Sequence, residues 1–185
     1  MKYFFDNWIA IMALVLSITS ISLSLHIYWK TVVKLKIAFA DDNYCFGFNW
    51  YSEYKIAMSY LLIENNSNTD VSISGIELTM NSKTYRAGRI DVQDYRNKNG
   101  ITLLTNDSSD QYILFNIRTE NILDNTRIAS NGKIEGYAIF HVDSIIEKQT
   151  SCEIRLITPG RSFSNIIILN PLPNNLVPIN PLNKH

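Results

Sequence analysis

Three histidines and two cysteines are the residues of this chain with the most obvious capacity for chemistry. Their positions argue against a shared site. His26 lies inside a long apolar run, His141 lies in an alternating segment, and His185 is the last residue, so the three do not converge on a metal within one folded domain. No HExxH motif and no Cys/His cluster with ligand spacing occurs. His141 can in principle act as a base for a Ser or Cys nucleophile, which would make the protein a membrane-tethered hydrolase. No neighbouring motif completes a triad, and a strand histidine with a satisfied hydrogen bond is the simpler expectation.

Cys45 and Cys152 are far apart in sequence and neither belongs to a CxxC motif. They can pair if the domain is exported, and stay thiols in a reducing cytoplasm. As plain strand residues they are small, apolar and half-buried. Glycine loops of the GxGxxG or GxxxxGK[ST] type are absent, so phosphate cradling has no support. Acidic pairs occur at Asp41/Asp42, Asp91/Asp94 and Asp107/Asp110. Oxygen-rich loops can bind Ca²⁺, but these have no ligand spacing and fit ordinary turns. Asn65-Asn66-Ser67 and Asn106-Asp107-Ser108 match the glycosylation sequon, a short and common pattern. No cofactor is implied. Lys and Arg are scattered and the formal net charge is zero, which excludes a basic stripe for nucleic acid.

The element that positions everything else is the run from Trp8 to Trp29, which has no charged side chain. It matches the roughly 20 residues a helix needs to cross the hydrocarbon core. It is longer than the apolar region of a cleaved signal peptide, about 7–15 residues. Trp8, Tyr28 and Trp29 fall where amphipathic rings favour the headgroup level. Lys30, Lys34 and Lys36 follow at once, opposed on the N-terminal side by Lys2, which Asp6 partly offsets. The positive-inside rule then favours a cytoplasmic C-terminal domain. Three lysines fall short of the 4–8 cations typical of a lipid-binding cluster, so they are expected to set topology. Within the run, Ala10, Ala13, Ser17, Ser20 and Ser24 recur every three or four residues and share one stripe. Small residues let helix backbones approach in lipid, so the stripe predicts association with a partner helix or a second copy.

Beyond the run the hydrophobic period changes from helical to alternating. Val33, Leu35, Ile37 and Phe39 face one way, and Tyr44, Phe46 and Phe48 alternate after the Asp41-Asp42-Asn43 turn, which suggests a hairpin over 32–49. Residues 55–64 read as a central strand, apolar on both faces near its end. After the turn at 65–70, Val71/Ile73 and Ile76/Leu78/Met80 are in opposite phase, which predicts a β-bulge at Ser74-Gly75. Further strands are expected at 84–86, 101–104, 112–117, 134–142 (bulged at Gly136), 152–156 and 163–169, with a long loop at 87–100 and a short helix near 121–124. Aromatics at Trp50, Tyr51 and Tyr54 form a cluster at a turn.

Eight or nine strands with turn signals about every ten residues predict an all-β fold, an antiparallel β-sandwich of Ig-like type after one N-terminal transmembrane helix. The expected division is a short tail at 1–7, the membrane helix at 8–29, the sandwich at 30–170 and a Pro-rich tail at 171–185. That tail holds Pro171, Pro173, Pro178 and Pro181, which argue against a ladder strand there. The anchor, the stretch Leu61-Leu62-Ile63-Glu64-Asn65-Asn66-Ser67 leading into Val71-Ser72-Ile73-Ser74-Gly75-Ile76-Glu77-Leu78, and Glu135-Gly136-Tyr137-Ala138-Ile139-Phe140 together resemble uncharacterised bacterial single-pass membrane proteins with a small Ig-like or fibronectin-like sandwich. The resemblance implies architecture and no activity. The expectation is a non-enzymatic membrane-anchored binding or accessory module facing the bilayer and a protein partner. The alternatives are the tethered hydrolase and an oligomerising sensory or host-defence membrane component.

Overall fold

A computed structural model describes residues 7–40, 43–48, 51–105 and 111–180, and of 51–54 the backbone alone. It is an all-β antiparallel sandwich preceded by one apolar helix. The helix, α1, spans Trp8–Thr31, is long and apolar enough to cross a membrane, and buries none of its residues. It ends where Val32 turns extended and donates its N–H to the Tyr28 carbonyl at 3.0 Å.

Thirteen strands follow among the described residues: β1 (Leu35–Phe39), β2 (Tyr44–Phe48), β3 (Tyr51–Asn65), β4 (Val71–Ser72), β5 (Gly75–Met80), β6 (Lys83–Arg86), β7 (Ile101–Thr105), β8 (Tyr112–Phe115), β9 (Arg127–Ile128), β10 (Lys133–His141), β11 (Thr150–Ile157), β12 (Ser162–Pro171) and β13 (Leu176–Pro178). One leaf is built on β3, with β10 along one side and β1 and β2 end to end along the other. The expected hairpin over 32–49 is therefore not formed. β3 is 15 residues long, and β1 and β2 each take one half of the same edge. The second leaf runs β12-β11-β5-β6, and a two-residue parallel contact of Asn170 and Pro171 with Tyr44 and Cys45 joins the leaves.

The core between the leaves takes Ala57, Leu61 and Ile63 from β3, Ala138 and Phe140 from β10, and Ile76, Leu78, Ile154 and Leu156 from the opposite leaf. Alternation aims the other set of β3 side chains outward, and these are buried as well. Ile56 and Met58 join Phe46, Phe48 and Ile139 under a third, three-stranded sheet, β13-β7-β8, which contributes Ile101, Leu103, Phe115 and Leu176. The two-sided apolar pattern of residues 56–63 is thus the mark of a strand covered on both faces.

Two expected bulges are absent. The phase change at residues 73–75 is a strand break: Val71–Ser72 pairs with β9, whereas Gly75–Met80 pairs with β11 and β6, so the chain changes sheets. Gly75 has no positive φ, and a Cβ there would meet the Arg86 guanidinium at 3.1 Å. At Gly136 the register with β3 runs unbroken from Lys133↔Glu64 to His141↔Ile56. The glycine is required by close approach instead: a Cβ would lie 2.5 Å from the Glu120 carbonyl oxygen. The β5–β6 hairpin turns through Asn81 and Ser82, both with positive φ (49° and 64°), as the tight two-residue turn demands.

The proline segment also departs from expectation. Leu176–Pro178 forms a ladder with β7, and Pro171 ends β12 against Cys45. Proline is tolerated because β13 is an edge strand and Pro171 a strand end, where a missing N–H costs no central hydrogen bond. Leu176 and Ile179 are buried, so these residues are part of the packed fold. Pro181 lies outside the described residues.

Candidate functional site

The residues with chemical potential are dispersed by the fold. His141 ends β10 opposite Ile56, on the side shared with Ile139, and partial burial lowers its pKa. His26 is in α1, and His185 lies outside the described residues. Cys45 and Cys152 are buried free thiols in the core between the leaves. Burial pushes the Cys152 thiol up to about 11, and the nearby Cys45 adds to the rise. Cys45 is raised by burial too, against a hydrogen bond from the Ile146 backbone. Both are therefore un-ionised at neutral pH and weak nucleophiles. Among the described residues, no three His, Cys, Asp or Glu side chains gather around a point that could hold a metal.

The one acidic pair that is fully described is structural. Asp94 is completely buried, and its carboxylate accepts hydrogen bonds from the backbone N–H groups of Arg96 (2.9 Å), Asn97 (2.6 Å) and Thr102 (2.6 Å), and from the Thr102 hydroxyl (3.2 Å). Asn97 in turn donates its side-chain N–H groups to the Ile101 and Phe115 carbonyls. This knot folds the 94–102 loop onto the third sheet. Asp91 pairs with Arg118 at 3.2 Å. Asp41/Asp42, Asp107/Asp110, the sequon at Asn106 and the side chains of Trp50, Tyr51 and Tyr54 lie outside the described residues. The other sequon is closed. The Asn65 side chain is buried, donates to the Thr69, Ile128 and Ala129 carbonyls, and accepts from the Ser67 N–H and hydroxyl.

On α1, Ala10, Ala13, Ser17, Ser20 and Ser24 are not buried by any other part of the chain. The Ser17 hydroxyl donates to the Ala13 carbonyl at 2.9 Å and that of Ser24 to Ser20 at 2.8 Å. These hydroxyls bond back into their own helix, so a neighbouring helix would meet a small, satisfied surface rather than donors. Trp8, Tyr28, Trp29, Lys30 and Lys34 are exposed, and Lys36 makes a surface ion pair with Glu64 at 3.4 Å.

The surface that stands out in the domain is the open edge of β12. β11 pairs with one side of this strand, and among the described residues the ladder on the other side is the contact of Asn170 and Pro171 with β2. Along the open stretch Ile166 and Ile168 are 68% and 55% exposed. Asn165 partly fills the gap to β1: its amide N–H donates to the Ile37 carbonyl at 3.0 Å, while its oxygen accepts the Ile166 N–H at 2.9 Å. Beside it lies an open groove of about 480 Å³, bordered by Phe39, Asn43, Gln149 and the two isoleucines. The unbroken run Ile166-Ile167-Ile168-Leu169 is the signal that could have marked this edge, since a strand covered on one face alternates and this one does not.

No protein-family model matches the chain, and no curated protein matches it. Among solved structures, the archaellum periplasmic stator protein FlaG from Sulfolobus acidocaldarius is similar at 13% identity, covering 74% of this chain and all of that one, with a TM-score of 0.35. The FlaF–FlaG stator complex from the same organism gives 14% identity over 75% of this chain and 91% of that one, again with a TM-score of 0.35. A GH20 exo-β-N-acetylglucosaminidase from Vibrio harveyi gives 11% identity over 82% of this chain and 19% of its own, with a TM-score of 0.24. Likenesses at this level carry no argument about function.

Proposed function

We propose that the protein is a membrane-anchored, non-enzymatic binding module whose β-sandwich engages a protein partner beside the bilayer. The observation that carries the reading is the open β12 edge with its exposed Ile166 and Ile168. An apolar, unpaired strand edge is a template for an added strand: main-chain hydrogen bonds supply affinity and alternate side chains supply specificity.

In this reading residues 8–29 cross the bilayer, flanked by the 1–7 tail, and the domain begins at residue 30 and takes in the packed proline segment through Ile179. Trp8, Tyr28 and Trp29 sit at headgroup level. Lys30, Lys34 and Lys36 hold the C-terminal border and favour the cytoplasmic side for the domain. Labelling of a surface cysteine introduced at Glu153 from outside intact cells would overturn that side, the two native thiols being buried. The stripe Ala10/Ala13/Ser17/Ser20/Ser24 gives the helix a face for a second copy or a partner helix. Cross-linking of Ser17→Leu/Ser20→Leu at wild-type efficiency would remove that role.

The deciding experiment is affinity purification of the full-length protein in detergent, wild type against Ile166→Lys/Ile168→Lys. Both side chains already face solvent, so the variant should fold with an unchanged melting temperature and lose the co-purifying protein. Retention of the same partner by the folded variant refutes the edge as the binding surface.

A further inference from the structure

The end of the sandwich nearest α1 is a second surface, and its chemistry is distinct. Only Val32, Val33 and Lys34 separate the last helical residue from β1, a span of at most about 14 Å. That linker is also tied down: Asn66 donates its N–H to the Lys34 carbonyl at 2.8 Å, and the Arg161 guanidinium donates to the Val33 carbonyl at 3.4 Å. The domain therefore cannot swing far from the point where the helix emerges.

The fold brings cations from remote parts of the chain to this end. Leu35 pairs with Asn65 and Lys133 with Glu64, so the start of β1, the end of β3 and the start of β10 lie together. Asn65 N–H donates to the Gly132 carbonyl and Ser74 N–H to the Ile157 carbonyl, which adds the 129–132 and 157–161 turns. Lys34, Lys36, Arg86, Arg127, Lys133 and Arg161 are all exposed there. The acids among them are Glu64, which meets Lys36, Asp70, which meets Arg127, and Glu77, which lies opposite Arg86 in the β5–β6 ladder and pairs with Arg155. The chain as a whole has no formal net charge, so the balancing acids lie on other faces.

We infer that this end is a docking surface for anionic phospholipid headgroups of the bilayer that α1 crosses, and that it holds the sandwich upright on the membrane. The inference rests on the anchor reading above. Three juxtamembrane lysines alone are too few for such a surface, but residues 86, 127, 133 and 161 bring the number of cations into the 4–8 range at which polybasic segments bind acidic lipid. The partner is identified by charge complementarity and by the linker, which leaves the headgroup layer as the nearest anion. Each cation at an anionic leaflet shifts the docked-to-free ratio by about fivefold, and salt screens the effect over a Debye length of about 8–10 Å.

The test uses the full-length protein in nanodiscs with a fluorophore on an introduced Asn68→Cys, an exposed position of the 66–70 loop at this end. Quenching by neutral acrylamide is compared between phosphatidylcholine discs and discs containing phosphatidylglycerol. Protection should appear only with phosphatidylglycerol and disappear in 0.5 M salt, a concentration at which the Debye length falls to roughly 4–5 Å. Lys34 and Lys133 take part in no ion pair among the described residues. Lys34→Gln/Lys133→Gln should therefore lower the docked-to-free ratio about 25-fold at an unchanged melting temperature. Equal quenching in both lipids, or protection that survives high salt, overturns the inference. Failure of the anchor reading is seen separately, as release of the wild-type protein from native membranes by alkaline carbonate.

Discussion

Replacing Asp94 tests the packing of the third sheet most sharply. Its buried carboxylate accepts three backbone N–H groups and one hydroxyl within the 94–102 loop. Asp94→Ala strands those donors. The Asn97 and Thr102 amides are in buried hydrogen bonds, while that of Arg96 is part-buried and can find water. An unsatisfied buried donor costs about 1–3 kcal/mol, so two of them give a loss of about 2–6 kcal/mol for Ala. Asp94→Asn is discriminating. Its oxygen can keep the Arg96 and Asn97 bonds, but its NH₂ then faces the Thr102 N–H at the 2.6 Å position, so about 1–3 kcal/mol is lost. Urea unfolding of the three proteins in the same detergent measures the order wild type, Asn, Ala. Hydrogen exchange should localise the early loss to residues 94–105 and 111–117. An Ala variant within 0.5 kcal/mol of wild type, the spread typical of neutral surface changes, would refute the accounting, as would an Asn variant as damaged as Ala.

Three further outcomes follow from the geometry. Gly136→Ala drives a Cβ into the Glu120 carbonyl and the Ile122 backbone, which should cost about 2–4 kcal/mol in the same unfolding assay. Ser82→Gly relieves a left-handed residue of the β5–β6 turn and makes the favoured Asn-Gly pair, so the melting temperature should rise, by roughly 1 kcal/mol in stability. Burial lowers the His141 pKa in the folded state, so the unfolded chain binds the extra proton first. The stability His141 contributes is full above its unfolded pKa of about 6.5 and declines as pH falls through that value toward the folded one. Melts at pH 7.5 and 5.5 should show a decline that His141→Gln reduces.

The elements were legible where one physical cause dominated. Alternation at Leu35/Ile37/Phe39 and at Cys152/Ile154/Leu156 gave strands in the right phase, because each faces one core. The two-sided burial of Ile56–Ile63 was visible as apolar residues on both faces, though not the sheet that covers the second face. Partner choice was harder. Nothing local distinguishes a hairpin over 32–49 from two strands sharing one long neighbour, because that depends on the length of β3. The phase change near Gly75 was read correctly as a discontinuity, but a bulge and a change of sheet leave the same mark in sequence. Proline at 178 argued against a ladder strand, and only the edge position of β13 makes it acceptable. Of the candidate surfaces, the membrane run was plain from composition. The Asp94 knot and the open β12 edge were not, since one needs the register of a distant strand and the other the absence of a neighbour along most of one edge.

The attachment of α1 to β1 also has a mechanical consequence. The chain passes from α1 into β1 at Leu35, and β1 lies antiparallel to β3 across five residue pairs from Leu35↔Asn65 to Phe39↔Leu61. A pull from a partner gripping the far side of the sandwich would be resisted at Leu35, along the strand axis. Ladder hydrogen bonds lie across that axis, so the load meets them in shear, and they must yield together rather than open one after another. On the anchor reading proposed above, α1 therefore joins the sandwich so that tension along the tether shears the β1–β3 ladder instead of peeling it.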